Sequence, residues 1–300
     1  MNSLKYSFAV LILTAAGSAN AALNVFACEP EWGALAKELG SGDVKVFSAT
    51  TALQDPHRIE ARPSLIAKMR QADLLVCTGA ELETGWLPVL LAESGNGKVR
   101  PGQPGYFEAA RHVDLLEKPV RVDRSEGDVH AAGNPHIQTD PRNIARVAKA
   151  LAKILAQLDA PNAAEYQRRE QAFQIRWAQA VRSWEARATP LKGVPVAVQH
   201  NAFPYLENWL GLKRVAVLEP KPGVAPSVAY LSSVQEGLRA SPANMVLRAA
   251  YQSERPSAWL SQRAGIPVAV LPFTVGGSEG ADDLFGLFDD TINRLLEALK

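Results

Sequence analysis

Short apolar runs alternate with amphipathic stretches along most of the chain, and the alternation starts twice. Residues 23–28, 44–47 and 73–77 read as strands, and helices are predicted over 29–39, up to 71 from Ser64, and over 81–92. Strands separated by helices in this way predict a parallel sheet with helices on its faces. The same rhythm returns with strands at 194–199, 214–218, 244–248 and 266–271 and helices opening at Asn201 and over 227–240, 257–264 and 281–299.

Two longer periodic segments lie between these halves. Ile144, Val147, Ala148, Leu151, Ile154, Leu155 and Leu158 recur at helical spacing, so one face of that segment is predicted to be buried. Asp140 followed by Pro141 marks its start, because the carboxylate accepts orphan N–H bonds and proline lacks the redundant donor. Residues 161–188 carry a second stripe of Tyr166, Phe173, Trp177, Ala180, Val181 and Trp184. Such a helix would run about 42 Å at about 1.5 Å per residue, longer than one domain needs. It reads as a strut across two domains. The expected fold is α/β: two Rossmann-like parallel-sheet domains, residues 22–160 and 190–300, joined by one long helix at 161–189. The Gly- and Pro-rich stretch 94–135 has only strand-like fragments such as 113–116, and so long a connection points to a functional loop.

Composition narrows the partners. The 300 residues are 47% hydrophobic, enough for a sizeable core, and 32 basic against 31 acidic side chains offer no electrostatic case for nucleic acid. Residues 1–21 read as a cleaved signal peptide: Lys5, an apolar stretch from Tyr6 to Ala16, and the A-x-A site Ala19-Asn20-Ala21. The mature chain is then expected in the periplasm. Val25-Phe26-Ala27-Cys28 offers a rival lipid-attachment signal, although bulky Phe26 suits it poorly. Cys28 and Cys77 each end a predicted strand; an exported pair forms either a disulfide or two buried thiols, depending on whether those strands are neighbours.

The candidate chemistry is histidine. His57, His136 and His200 each lie where a strand or loop passes towards a helix, the region where open α/β sheets gather their ligands. Pro135 stiffens the approach to His136. Two of these rings come from the first half and one from the second, so a shared ion would sit between the halves. His112 and His130 fall in the 94–135 segment.

The ordered segments DPHRIEARPS (55–64), ADLLVCTGAELE (72–83), NPHIQTDP (134–141), HNAFPYL (200–206), EPKPGVAPS (219–227) and GG…DLFGLFDDTI (276–292) resemble the substrate-binding proteins of metal-specific ABC transporters, most closely the zinc branch. The resemblance spans the mature chain. It implies a metal site of His57, His136 and His200 at the domain interface, a bound Zn2+ as cargo, and a membrane permease as partner of a monomeric binding protein. Members often place an aspartate after the last strand as fourth ligand, but Pro272-Phe273-Thr274-Val275 stand there. That position then falls to water, Glu60, Glu279, Asp282 or Asp283. The His- and acid-rich loop common in zinc members is reduced to Asp128-Val129-His130, which casts His130 as a solvated loop residue.

Three imidazoles without a carboxylate pair suit zinc better than manganese. Each ligand ring should have its second nitrogen tied to an acceptor, and Asp55, Glu60 and Glu207 are sequence-near candidates. The alternatives are a manganese or other divalent-metal transporter component, a metal-linked adhesin, and a zinc hydrolase; the last lacks an HExxH helix to supply a general base.

Overall fold

The computed structural model describes residues 21–119, 127 and 130–300, so the predicted signal peptide lies outside the described residues except for Ala21. The N-terminal lobe contains β1 (Leu23–Ala27), α1 (Pro30–Gly40), β2 (Val44–Ser48), α2 (Pro63–Gln71), β3 (Leu74–Cys77), α3 (Leu87–Ser94), β4 (Tyr106–Glu108) and α4 (Pro141–Leu158). After α5 (Ala163–Arg187), the C-terminal lobe adds β5 (Pro195–Val198), α6 (Pro204–Leu210), β6 (Lys213–Val217), α7 (Val228–Ala240), β7 (Met245–Ala249), α8 (Arg255–Ala264), β8 (Val268–Leu271) and α9 (Leu284–Ala298).

Both sheets are parallel and share one topology, β2-β1-β3-β4 and β6-β5-β7-β8. β3 is buried at every position, and β1 and β5 are buried at their last three, because helices cover both faces of these inner strands. The C-terminal ends of the strands in both sheets lead into the loops that carry the candidate residues.

Helix α5 joins the lobes by burial and by hydrogen bonds. Tyr166, Phe173, Trp177 and Trp184 are buried along one face, each a contribution on the order of 1.5–3 kcal/mol. The Trp177 indole donates to the carbonyl of Pro141 (2.8 Å) on the first lobe, and the Trp184 indole donates to Asp289 (2.8 Å) on α9. Arg169 adds a bond to the Gly40 carbonyl and an ion pair with Asp43, both at 2.7 Å. Residues of α1, α4, α5, β5 and α9 consequently fall in one continuous apolar core that crosses the lobe boundary.

Asp140 caps α4 as expected, its carboxylate accepting from Arg142 N (2.8 Å) with Pro141 in the first turn. The helix expected over 81–92 instead begins at Leu87. Ala80 and Glu81 occupy the left-handed region, and proline at position 88 suits a first turn rather than a helix interior. The fragment 113–116 is not a strand. The fourth strand of the first sheet is the three-residue β4, paired with β3 through Leu75–Tyr106, Val76–Phe107 and Cys77–Glu108.

Cys28 and Cys77 form a disulfide across the neighbouring strands β1 and β3, with a Cα–Cα distance of 4.8 Å. Both residues are buried. In this arrangement the Cys28 sulfur is already bonded and lies inside the lobe, which does not suit a lipid-attachment site. Among the described residues no helix is long and apolar enough to cross a membrane.

Candidate metal centre

His57, His136 and His200 converge in the cleft between the lobes. One ring nitrogen of each can be chosen so that all three lie within 4.8 Å of one another, and the ring centroids are 5.3, 5.9 and 5.6 Å apart. A tetrahedral zinc site sets its ligand nitrogens roughly 3.3 Å apart, so modest ring rotations would close the triangle around an ion.

Each ring is held by its local sequence. Asp55 folds back on His57, accepting from its backbone N–H (3.0 Å) and meeting its Nδ1 (2.9 Å) through the same oxygen. The Trp86 indole pins the carbonyl of Pro56 (2.9 Å). These bonds turn Nε2 of His57 towards the other two rings, where it is buried without a hydrogen-bond partner. His200 leaves the end of β5, and its Nδ1 meets Glu219 at 2.6 Å; Glu219 is itself held by the N–H of Gly223 (2.9 Å). A carboxylate on one ring nitrogen fixes the tautomer and directs the other nitrogen to a cation.

His136 is held through its backbone. Asn134 accepts from its N–H (3.0 Å) and, through its own amide, donates to the Asn201 carbonyl on the opposite lobe (2.9 Å). Tyr205 donates to the Asn134 carbonyl (2.6 Å), a second crossing of the cleft. The His136 ring is buried against Phe273, with centroids 5.5 Å apart, and its Nδ1 has no partner. Burial first, then the neighbouring rings of His57, His200 and His130, push its pKa well below the ordinary imidazole value. That direction favours the neutral ring, which is the form able to ligate. Asp55 moves the other way: burial works to raise its pKa, but bonding to His57 and the nearby His200 bring it below the usual carboxylate value.

Of the sequence-near partners, only Asp55 contacts a candidate ring. Glu60 is exposed. Glu207 faces Arg214 at 3.5 Å instead, and burial raises its pKa to about 7. The partner of His200, Glu219, lies nineteen residues away across helix α6 and strand β6, and only the EPKPG segment signalled it.

None of the carboxylates considered for a fourth ligand belongs to the cluster. Glu279 and Asp282 are exposed, and Asp283 caps α9 by accepting from Gly286 N (2.8 Å). Phe273 has a left-handed backbone (φ 67°) that turns its ring into the site as apolar wall. His130 corrects the expectation of a solvated loop residue. It is half-buried, with its ring 5.4 Å from that of His57. His112 lies apart, stacked on Phe107.

Two parallel-sheet lobes on a common helix, with imidazoles from both facing one another across the cleft, define the substrate-binding component of a metal ABC transporter. The chain belongs to the family described as zinc-uptake complex component A, periplasmic (ZnuA), whose profile matches residues 25–298. This family is a transport component and not an enzyme. The chain is 24% identical over 270 residues to the high-affinity zinc uptake system protein ZnuA of Bacillus subtilis, covering 89% of this chain and 82% of that protein. It is 23% identical over 306 residues to the manganese ABC transporter substrate-binding lipoprotein PsaA of Streptococcus mitis, covering 98% and 96%. A crystal structure of ZnuA shares the fold with a TM-score of 0.76 at 22% identity, covering 93% of this chain and all of that one.

Proposed function

We propose that the protein captures Zn2+ between its lobes through His57, His136 and His200 and delivers it to the membrane permease of an ABC importer. The observation that carries this reading is the approach of three buried or half-buried imidazoles from both lobes, two of them backed by carboxylates. Neutral nitrogen donors without a carboxylate among them favour zinc over the harder manganese ion. The relationship to a zinc uptake protein supports the same choice, and the relationship to PsaA keeps manganese as the second reading. Residues 1–21 would be removed on export, leaving a periplasmic monomer with 31 basic and 31 acidic side chains.

Titration of metal-free protein with Zn2+ and Mn2+ in a calorimeter tests the proposal. Zinc is expected to bind one-to-one and far more tightly than manganese, with His136→Ala abolishing high affinity. Manganese binding as tight as zinc, or full zinc affinity in the His136 variant, would refute it.

A further inference from the structure

Three imidazoles leave a tetrahedral zinc ion one position short. The carboxylates nearest the cluster, Asp55 and Glu219, are engaged by the Nδ1 atoms of His57 and His200. The loop after β8 presents the Phe273 ring, and its neighbour Thr274 donates its hydroxyl proton to Glu31. His130, however, lines the same cleft of about 180 Å3 as His136 and His200, and its ring stands 5.4 Å from His57.

The backbone that follows His130 is tied to the N-terminal lobe. Ala131 N donates to the Glu81 carboxylate, and the His130 carbonyl accepts from Gly133 N (3.1 Å). Gly127 approaches the C-terminal lobe so closely that a Cβ there would meet the Pro222 carbonyl oxygen at 2.3 Å, at a backbone φ of 86° that also favours glycine. The imidazole lines the cleft beside the three-ring cluster without belonging to it, and rotation about its side-chain bonds would bring a nitrogen towards the ion.

We propose that His130 is the fourth ligand, closing an all-imidazole site and setting its preference against manganese. The inference rests on the reading of His57, His136 and His200 as zinc ligands. Replacing an oxygen donor by a fourth imidazole favours zinc, cobalt, nickel and copper over manganese, which prefers oxygen. His130 would therefore act in both capture and discrimination.

The test uses full-length mature protein with nitrogen-labelled histidine, loaded with cadmium as a magnetic probe. Scalar couplings between metal and nitrogen are expected for four imidazoles, with His130→Ala losing one of them and binding zinc at least about tenfold more weakly. His130→Asp should narrow the zinc-to-manganese affinity ratio. Couplings confined to His57, His136 and His200, or unchanged zinc affinity in His130→Ala, would overturn the role of His130 while leaving the three-ligand site intact. Absence of coupling to those three would remove both the site and the inference.

Discussion

Thr274, in the loop after β8, donates its hydroxyl proton to the carboxylate of Glu31 on α1, so a buried hydrogen bond ties the two lobes together next to the Phe273 ring. Burial, the largest cause, raises the Glu31 pKa from 4.5 to about 7 despite that bond. Between these values the folded chain holds a proton that the unfolded chain has released. The stability so gained is fully present below about 4.5 and is lost as pH rises through about 7. Glu83, raised to about 7 chiefly by burial, acts in the same direction. His136 acts oppositely: the unfolded ring takes up a proton first as pH falls below about 6.5, which costs stability in acid.

Glu31→Gln mimics the protonated carboxyl at every pH. Relative to the parent protein, its metal-free form should gain on the order of 1 kcal/mol per pH unit between about pH 5 and 7. Denaturant unfolding at several pH values measures this. A pH-independent difference would show that Glu31 does not hold the proton.

Zinc should raise the melting temperature strongly, because a ligand that binds only the folded state stabilises it by about 4 kcal/mol at a thousandfold excess over its dissociation constant. His136→Ala should remove most of that shift. Scanning calorimetry with and without zinc is the check, and an unaltered shift would take His136 out of the site.

Asp55→Asn and Glu219→Gln leave the rings in place but weaken the acceptors behind His57 and His200. Each should lower zinc affinity by about 10–100-fold, the usual effect of losing such support. Competition against a chromogenic chelator reads this directly. Parent-like affinity in both variants would reduce these carboxylates to bystanders.

Trp177→Ala should destabilise the protein by about 3–5 kcal/mol, as expected for truncating a buried aromatic. The indole packs on Phe173, Phe285 and Phe288 while bonding to Pro141, so its loss opens the core shared by both lobes. Urea unfolding would show the shift in midpoint. A loss under about 1 kcal/mol would mean the lobes are held together elsewhere.

Opening the Cys28–Cys77 bridge, which closes a loop with a sequence separation of 49, should cost about 2–4 kcal/mol through greater freedom of the unfolded chain. The Cys28→Ser, Cys77→Ser double variant, compared by urea unfolding, tests this without a reducing agent. Unchanged stability would assign the bridge no thermodynamic part.

Much of this organisation is legible in local chemistry. Strand–helix alternation announces two parallel sheets, Asp140-Pro141 announces the start of α4, and a stripe of four large aromatics announces α5. His57, His136 and His200 stand out because each occupies a turn at the edge of a packed element. What stays hidden depends on long-range contact. β4 has only three residues and exists because β3 offers it an edge. Glu219 reaches His200 only once β6 lies beside β5. The Cys28–Cys77 pairing depends on β1 and β3 being neighbours, and the proximity of His130 to His57 depends on how a long loop is tied down.

The carboxylates behind two of the rings also bear on which valence the cleft accepts. Asp55 and Glu219 stand as two acidic groups just outside the three imidazoles, one behind His57 and the other behind His200. Two carboxylate charges would offset a doubly positive ion, but would overcompensate a monovalent one and undercompensate a trivalent one. Uncompensated charge is expensive away from water, so two acidic groups behind three imidazoles favour a divalent cargo over a monovalent or trivalent one.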